Sequence, residues 1–293
     1  MIVITTPTGD IGRQVLGRVL DSGEAVRVIV RDPSRLAPDV HVRAEVVQGS
    51  HSDPDVIAKA LTGADRLFWL VPPASIDSPV PAAQYYLDFA RPAAEAAASR
   101  GVGIVGVTSL GHGYPGEAGL LSAALDMDAL IERSGADYRA LALPFFMENL
   151  HRQIQEIKEQ GTFSMANAAD RPLLMIATRD VAPAAAALLL DKSWNGQART
   201  PLAGPDNLTP IQMAEVISET LGRSVTYRQV PVADLGAMMQ RYGASEAMAQ
   251  GMTGMIGAQN DGIYDAEPRD AGSVAATSFG QWCQDVLKPA VES

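Results

Sequence analysis

The stretch that decides the fold is the amino-terminal sequence Ile2-Val-Ile-Thr-Thr6-Pro-Thr-Gly9-Asp-Ile-Gly12-Arg-Gln-Val-Leu16. It begins with a short apolar run, passes through a turn of small residues and continues with apolar residues at helical spacing. This order of strand, glycine turn and helix is typical of the first unit of a dinucleotide-binding domain. Gly9 allows backbone amides to approach a pyrophosphate, and Gly12 allows the helix to pack closely on the strand.

Thr6 stands where the first glycine of a Gly-x-x-Gly-x-x-Gly turn is usually found. The motif without its first glycine is still informative, because it lies directly after a predicted strand and directly before an amphipathic helix. The free amides and the positive end of the dipole at the helix start predict an anion site. The residues predicted to bind the cofactor there are Thr6, Thr8, Gly9, Asp10, Ile11 and Gly12.

Composition and charge narrow the class of protein. A chain of 293 residues is long enough for a large α/β domain that carries a smaller cap. The net charge of −11 argues against nucleic acid as a partner, because contacts with phosphates need a basic face. Cys283 is the single cysteine, which excludes an intrachain disulfide and a cysteine-based metal cage. The histidines are scattered without ligand spacing, so we predict no metal site.

Two further absences bear on the cellular location. No apolar run approaches the ~20 residues that a membrane-spanning helix needs. The amino terminus lacks the basic start of a signal peptide, and its apolar residues have the pattern of a strand. We therefore expect a cytoplasmic protein with no membrane partner.

The first half of the chain alternates near-continuous apolar strands with helices, which indicates a parallel sheet covered on both faces. Right-handed crossovers then give a doubly wound order. Beyond about residue 150 the pattern loosens into short strands and helices. We predict an α/β protein with a doubly wound parallel Rossmann sheet in residues 1–150. Residues 151–293 form a smaller, mostly helical substrate-binding domain interleaved with the far edge of that sheet. The strands predicted for the sheet are 1–4, 25–30, 42–47, 66–71, 102–107 and 138–143.

Two arginines follow the predicted second strand, Arg31 directly and Arg35 after a short turn. In a dinucleotide-binding domain this strand end faces the adenosine ribose, where an acidic residue binds the 2′-hydroxyl and an arginine pairs with a 2′-phosphate. Because Arg31 is followed at once by Asp32, the sequence favours NADP(H) and leaves NAD open. The alternative is that both arginines are ordinary surface charges.

The predicted fifth strand ends in Gly106-Val-Thr108-Ser109-Leu-Gly111-His112-Gly-Tyr114. Ligands of open α/β sheets bind outside the carboxyl ends of the strands, where a substrate carbonyl would meet the cofactor. Each polar side chain of this loop can donate a proton or a hydrogen bond. We therefore predict Ser109, His112 and Tyr114 as catalytic residues. The alternative is that the hydroxyl groups only stabilise a turn.

The Tyr-x-x-x-Lys pair of short-chain dehydrogenases is absent from the sequence. In that pair the lysine charge lowers the pKa of the tyrosine. None of the 7 tyrosines is followed by lysine at that spacing. A reduction must use another proton donor or an acceptor that needs none, such as a quinone taking hydride.

Two weaker signals remain. Methionines recur at helical spacing around Met238 and Met239, and again at Met248, Met252 and Met255. Such stripes belong to a core more often than to a pocket wall, although methionine suits both.

His51 follows the third strand near the expected adenine position, and we expect it to be a solvated turn residue.

Several motifs along the chain resemble the NmrA-like family of atypical short-chain dehydrogenases and reductases. The opening glycine turn is similar to that of the family, and Val30-Arg31-Asp-Pro-Ser-Arg35 resembles its NADP-type second strand end. Leu70-Val-Pro72-Pro73 looks like its fourth-strand region, and Phe146-Met-Glu-Asn-Leu150 is a close match to the segment after its sixth strand. Arg179-Asp180-Val-Ala and Gly204-Pro-Asp-Asn-Leu-Thr209 resemble its carboxy-terminal part.

The resemblance implies a Rossmann domain that binds NADP(H) and a small carboxy-terminal domain that closes over a substrate cleft. It adds Val71 and Pro72 to the predicted cofactor-binding residues, together with Thr108, Pro144 and Phe145 beside the nicotinamide. The family contains NAD(P)H:quinone oxidoreductases, ether and flavonoid reductases, and proteins that bind the nucleotide as redox sensors.

Two classes of function therefore stay open. The favoured one is an NADPH-dependent reductase of a hydrophobic carbonyl, enone or quinone, that is, an enzyme with a small-molecule partner. The alternative is a non-catalytic NADP(H) sensor that binds a protein partner, or a non-redox enzyme on the same scaffold. The oligomeric state is left open, with a homodimer as one option.

Overall fold

The computed structural model describes residues 1–268 and 271–293. Within this part of the chain the strands, in chain order, are β1 (Ile2–Ile4), β2 (Val26–Val30), β3 (Ala44–Gln48), β4 (Arg66–Trp69), β5 (Gly103–Ser109), β6 (Tyr138–Leu143), β7 (Phe145–Phe146), β8 (Thr162–Met165), β9 (Leu173–Ile176), β10 (Gln197–Pro201), β11 (Asn207–Leu208) and β12 (Thr226–Gln229).

A seven-stranded sheet in the order β10-β6-β5-β4-β1-β2-β3 forms the centre of the fold, and all its neighbouring strands are parallel. Strand β1 pairs with β2 on one side and with β4 on the other. From β1 the chain first adds β2 and β3 on one side and then β4, β5 and β6 on the other, so the direction of strand addition reverses at β1. This arrangement confirms the predicted doubly wound sheet. A crevice is expected beyond the carboxyl ends of the strands at this reversal.

Helices cover both faces of this sheet. The described helices are α1 (Asp10–Asp21), α2 (Pro38–Arg43), α3 (Pro54–Ala60), α4 (Ala82–Arg100), α5 (Leu120–Arg133), α6 (Ile154–Gln160), α7 (Thr178–Leu190), α8 (Pro210–Leu221), α9 (Val232–Arg241), α10 (Glu246–Asp261), α11 (Phe279–Trp282) and α12 (Lys288–Glu292). Helices α1 and α7 pack together on one face, and α4 and α5 pack together on the other.

The period of two in strand β1 decides which face each side chain joins. Ile2 and Ile4 enter the apolar cluster beneath α1 and α7, whereas Val3 enters the cluster beneath α4. Because both faces are covered, all three residues are buried, as the continuous apolar run predicts. The loop that follows β1 is thereby held at the reversal point of the sheet.

The third strand begins later than predicted. Val42 lies in α2 rather than in β3 and is largely exposed. Pro38 occupies the first turn of α2, where its missing amide hydrogen has no cost, and this favours a short helix before the strand. The β-branched residue Val42 gave a misleading strand signal.

The carboxy-terminal part has its own apolar cluster, which includes Phe163, Met213, Phe279 and Trp282. Strands β8 and β12 pair beside it, and β7, β9 and β11 form a second small sheet. Strand β10 leaves this part of the chain and pairs with β6 at the edge of the central sheet. Helices α11 and α12 are joined by a π-helical turn, and their segment had no prediction from the sequence.

Candidate active site

The turn between β1 and α1 is closed by the backbone of Thr6. The amide of Gly9 donates to the Thr6 carbonyl oxygen at 3.0 Å, and Thr6 itself has left-handed backbone with a φ of 49°. That conformation disfavours a β-branched residue by about 1–2 kcal/mol. Gly12 is required for a separate reason, since a Cβ atom there would lie 2.0 Å from the Thr6 carbonyl oxygen.

The start of α1 offers unoccupied hydrogen-bond donors. No side chain caps the helix, and the Thr6 Oγ1 atom is buried without a hydrogen-bond partner in residues 1–268 and 271–293. Asp10, in the first turn, is exposed and forms an ion pair with Arg13 at 3.2 Å. Helix amides and a buried hydroxyl without a partner are the groups that a pyrophosphate would satisfy.

Arg31 and Arg35 lie at the carboxyl end of β2, and both are exposed. Neither guanidinium group has an ion-pair or hydrogen-bond partner in the part of the chain that the structure describes. Asp32 is engaged otherwise, because its Oδ1 accepts from the amide and hydroxyl of Ser34 at 3.0 and 2.7 Å. These hydrogen bonds lower the pKa of Asp32. The free cations and the occupied carboxylate fit a ribose 2′-phosphate better than a 2′-hydroxyl.

His51 is buried rather than solvated, which corrects the expectation from the sequence. It forms edge contacts with the rings of Trp69 and Phe89, at centroid distances of 5.2 and 5.0 Å. Its Nε2 lies 3.2 Å from the Leu70 carbonyl oxygen, so the neutral ring carries its proton on Nε2. Burial lowers the pKa of His51 to about 4, and this effect exceeds the opposing one of the hydrogen bond.

The titration of His51 predicts a loss of stability in acid. The unfolded chain binds a proton at His51 near its usual pKa, whereas the folded chain binds it only near pH 4. The folded state is therefore penalised as the pH falls from about 6.5 to 4, by about 3 kcal/mol at the lower limit. His51→Phe removes the group whose protonation favours the unfolded chain, and it keeps an aromatic ring between Trp69 and Phe89. Urea unfolding across this pH range should show a smaller loss for the variant.

The control for this experiment is His41→Phe, because His41 is exposed on α2. We expect it to lose as much stability in acid as the wild type. Parallel pH profiles for His51→Phe and the wild type would contradict the burial argument.

A cleft of about 250 Å³ opens beyond the carboxyl ends of β4, β5 and β6. It is mostly apolar, and none of its lining residues carries a formal charge. The lining residues are Leu70, Val71, Tyr86, Val107, Thr108, Ser109, Leu120, Leu121, Ala124, Leu143, Pro144, Phe145, Phe146, Asn149, Met255, Gln259 and Tyr264.

Several of the predicted residues meet in this cleft, namely Val71, Thr108, Ser109, Pro144 and Phe145. The Thr108 hydroxyl donates to the Ala124 carbonyl oxygen at 3.3 Å. The Ser109 hydroxyl donates to the Leu110 carbonyl oxygen at 2.7 Å, which leaves its lone pairs as acceptors.

Pro72 follows Val71 outside the cleft lining, at the start of a loop that the structure holds against α10. The amide of Ser245 donates to the Ile76 carbonyl oxygen at 3.0 Å, and its hydroxyl donates to the Ser78 carbonyl oxygen. The loop that adjoins the predicted cofactor site is therefore attached to a helix that also lines the cleft.

His112 and Tyr114 lie outside the cleft lining. The His112 side chain is exposed. The Tyr114 hydroxyl donates to the Asp261 carboxylate at 2.8 Å, which raises the pKa of Tyr114. Their catalytic roles stay predictions.

A buried charged network holds the loop that carries His112. Glu267 accepts from the amides of Gly111 and His112 at 3.2 and 3.3 Å and pairs with Arg199 at 2.9 Å. Arg199 also pairs with Asp128 at 2.9 Å, and burial raises the pKa of Asp128 to about 6. The carboxylate that fixes this loop lies far along the sequence, and no motif indicated it.

Four cleft residues with polar groups were not predicted, namely Tyr86, Asn149, Gln259 and Tyr264. Asn149 had a signal, because it lies in the family-like segment Phe146-Met-Glu-Asn-Leu150. In the same segment Glu148 has a structural role, since it accepts from the Thr178 amide at the start of α7 and from the Trp282 indole. Met255 lines the cleft, whereas α9 contributes no lining residue.

Comparison with known proteins identifies the family. Residues 7–192 match a family described as NAD(P)H-binding, and residues 126–277 match the NmrA-like family. The chain belongs to the NmrA-like family. This confirms the resemblance seen in the sequence. The match agrees with the glycine turn at its start and with the segment that follows β6.

Two relatives of this family member align with it over most of the length of both sequences. Quinone oxidoreductase 2 of Escherichia coli (strain K12) is 26% identical over 268 residues, 90% of each chain. The (4-alkanoyl-5-oxo-2,5-dihydrofuran-3-yl)methyl phosphate reductase of Streptomyces griseus is 30% identical over 247 residues, 83% of this chain and 82% of the relative.

A solved structure agrees on the fold. The NADPH complex of an NADPH-dependent quinone oxidoreductase from Escherichia coli superposes with a TM-score of 0.78 and 23% sequence identity. It covers 100% of this chain and 99% of that one.

The site of this NmrA-like protein fits NADP(H) on its own geometry. The Thr6 hydroxyl without a partner and the uncapped start of α1 would hold the pyrophosphate. Arg31 and Arg35 would hold the 2′-phosphate, and the nicotinamide would then reach the cleft beside Thr108 and Pro144. In the described residues no group of three or more histidine, cysteine or acidic side chains is placed to hold a metal ion.

Proposed function

We propose that this protein is an NADPH-dependent reductase of a neutral, hydrophobic carbonyl, enone or quinone. The observation that carries the proposal is the uncharged cleft at the carboxyl ends of β4, β5 and β6, on the sheet edge that also bears the glycine turn. NADPH supplies a hydride when it is bound. The relatives named as reductases support oxidoreductase chemistry, and a quinone oxidoreductase is among them.

The residues of the chain bind, orient and exclude water. Arg31 selects the phosphorylated nucleotide, and the amides at the start of α1 hold its pyrophosphate. Val71, Pro144 and Phe145 form an apolar wall that keeps water from the reacting atoms. Ser109 contributes a hydroxyl whose lone pairs face no described donor. His112 and Tyr114 lie in the loop after β5, outside the cleft lining, and their catalytic roles stay predictions.

The lining also limits the substrate. No lysine or arginine lines the cleft, so a phosphate or carboxylate group on the substrate would enter it without a partner. Burial of an unpaired charge is strongly unfavourable. We therefore propose a neutral substrate, although one relative is named for a substrate that carries a phosphate.

The sensor alternative is less favoured, because a regulator that only binds the nucleotide has no need of a preformed cleft beside the nicotinamide. In residues 1–268 and 271–293 no helix is long and apolar enough to cross a membrane. The cytoplasmic location, the absence of a nucleic-acid partner and the homodimer option stay predictions.

Filling the cleft tests the proposal. Ala124 lines the cleft on α5, and Ala124→Phe places a ring in the space proposed for the substrate. We expect kcat/KM for a neutral benzoquinone with NADPH to fall by about a hundredfold, as displacements of about 1 Å near a reacting centre do. NADPH affinity, followed by nicotinamide fluorescence, should change by less than about threefold.

Asp126→Phe adds the same ring to the exposed face of α5 and should leave both quantities unchanged. If Ala124→Phe reduces quinones as fast as the wild type, the cleft is not the substrate site. If the wild type binds NADPH tightly and oxidises it with no quinone or enone, the sensor function is favoured instead.

A further inference from the structure

A buried chain of hydrogen bonds ends at the hydroxyl group of Tyr264, a residue that lines the cleft. Tyr264 lies in the short 3-10 turn Ile263–Asp265 that follows α10, and only 5% of its surface is exposed. Its hydroxyl oxygen accepts from the Gln259 Nε2 at 2.9 Å. The Gln259 Oε1 in turn accepts from the Asn167 Nδ2 at 3.0 Å. Both amide residues are buried.

The direction of these bonds leaves the Tyr264 proton free. Because the Gln259 amide donates, the tyrosine oxygen uses a lone pair in that bond and keeps its own hydrogen. In the described part of the chain no acceptor takes this hydrogen. A buried donor without an acceptor is unfavourable. A carbonyl oxygen bound in the cleft would satisfy it.

The backbone around Asn167 is also fixed. The Tyr227 hydroxyl lies within hydrogen-bond distance of the carbonyl oxygens of Met165 and Asn167, at 2.8 and 2.5 Å. The Asn260 Oδ1 accepts from the Ala168 amide at 2.7 Å. The segment that supports the hydrogen-bond chain is thus attached to α10 and to β12, and it holds the Asn167 amide in one place.

We propose that Tyr264 donates a hydrogen bond to the carbonyl oxygen of the substrate, and that Gln259 and Asn167 are positioning residues that direct the hydroxyl into the cleft. This inference rests on the proposed function. Addition of hydride to a quinone or enone moves an electron pair onto this oxygen, which becomes an anion. The Tyr264 O–H stabilises that anion, and one proton from water then completes the reduction.

The surroundings of Tyr264 suit a hydrogen-bond donor rather than an acid. Burial raises the pKa of Tyr264 well above its usual value. A lysine beside a tyrosine would lower the pKa and allow proton transfer, but the neighbour here is a neutral amide. A preorganised donor in a site without water stabilises developing negative charge efficiently. This arrangement accounts for a reductase that lacks the Tyr-x-x-x-Lys pair.

Binding of a phenol tests the role of Tyr264 without any turnover. 4-Nitrophenol has different spectra when neutral and when ionised, and its phenolate resembles the product anion. With saturating NADP⁺, we expect the pKa of the bound phenol to lie below that of the free phenol. Tyr264→Phe should raise the pKa of the bound phenol by about one to two units, a preference for phenolate that is tenfold to a hundredfold weaker.

Two further variants separate positioning from packing. Gln259→Met removes the amide donor and adds no charge to the cleft, so the tyrosine hydroxyl is no longer held and the pKa of the bound phenol should rise, by less than in Tyr264→Phe. Tyr242→Phe is the matched control, because Tyr242 is 80% exposed between α9 and α10 and should bind the phenol as the wild type does. Thermal unfolding verifies that each variant is folded.

The kinetic counterpart is a fall of about a hundredfold in kcat/KM for benzoquinone in Tyr264→Phe, as for loss of one donor to an oxyanion. A pKa of the bound phenol that is equal in the wild type and Tyr264→Phe would overturn the inference. If the shift is present but NADPH is oxidised by no quinone or enone, the Tyr264 site stands and the proposed reaction fails.

Discussion

Gly12→Ala is expected to weaken NADPH binding by at least about a hundredfold, a loss of about 2.7 kcal/mol. The new Cβ atom would lie 2.0 Å from the Thr6 carbonyl oxygen and 2.8 Å from its carbonyl carbon. Backbone atoms cannot rotate away as the end of a side chain can, so α1 or the turn must shift. The amides at the start of α1 and the Thr6 hydroxyl would then no longer point at the same pyrophosphate.

Gly17→Ala is the matched control on the same helix. Apart from the backbone of its own helix, a Cβ atom at Gly17 would meet no atom within 4 Å. Replacing glycine by alanine inside a helix stabilises by roughly 0.5–1 kcal/mol, so the control should bind NADPH normally and unfold at a slightly higher temperature. Titrations by nicotinamide fluorescence, made well below each midpoint of unfolding, measure the affinities. Binding by Gly12→Ala within about threefold of the wild type would contradict the close approach.

Arg31→Ala is expected to weaken NADPH binding by about tenfold to a hundredfold, while NADH binding changes less than about twofold. The exposed guanidinium has no partner among the described residues, so its removal breaks no contact within the protein. What is lost is its charge-assisted hydrogen bonding to the 2′-phosphate, a group that NADH lacks. Isothermal titration with both nucleotides gives the ratio directly, and this preference should shrink as salt is added.

Arg228→Ala serves as the control for charge. Arg228 lies on β12, is exposed, and forms an ion pair with Glu156 at 3.2 Å in the carboxy-terminal part. It changes the net charge equally but should leave the preference for NADPH intact. Arg35→Ala, beside Arg31, should produce a smaller loss with the same selectivity. Equal weakening of NADPH and NADH in Arg31→Ala would show that this residue does not bind the 2′-phosphate.

The proposed nucleotide site follows largely from the sequence, because the features that define it are local. Gly9 and Gly12 lie close together at the start of α1, and Arg31 directly follows β2, whose place in the sheet follows from the glycine turn. The alternation of buried strands and helices similarly predicted the sheet. The error at Val42 was also local, because the Pro38 helix start outweighed a β-branched pattern. The error at His51 was not, because its burial against Trp69 and Phe89 comes from packing.

The cleft proposed for the substrate depended on tertiary structure. Tyr86, Asn149 and Tyr264 line it together although they lie in unconnected segments, and no spacing in the sequence relates them. The same holds for Glu267, which fixes the loop at Gly111 from 156 positions away. The sequence by itself determined the sheet, the glycine turn and the position of Arg31 and Arg35 after a strand end, since backbone conformation and strand order decide those. The tertiary structure decided which polar residues line the proposed substrate cleft and which hydrogen bonds they make, since only packing brings distant side chains within hydrogen-bond distance.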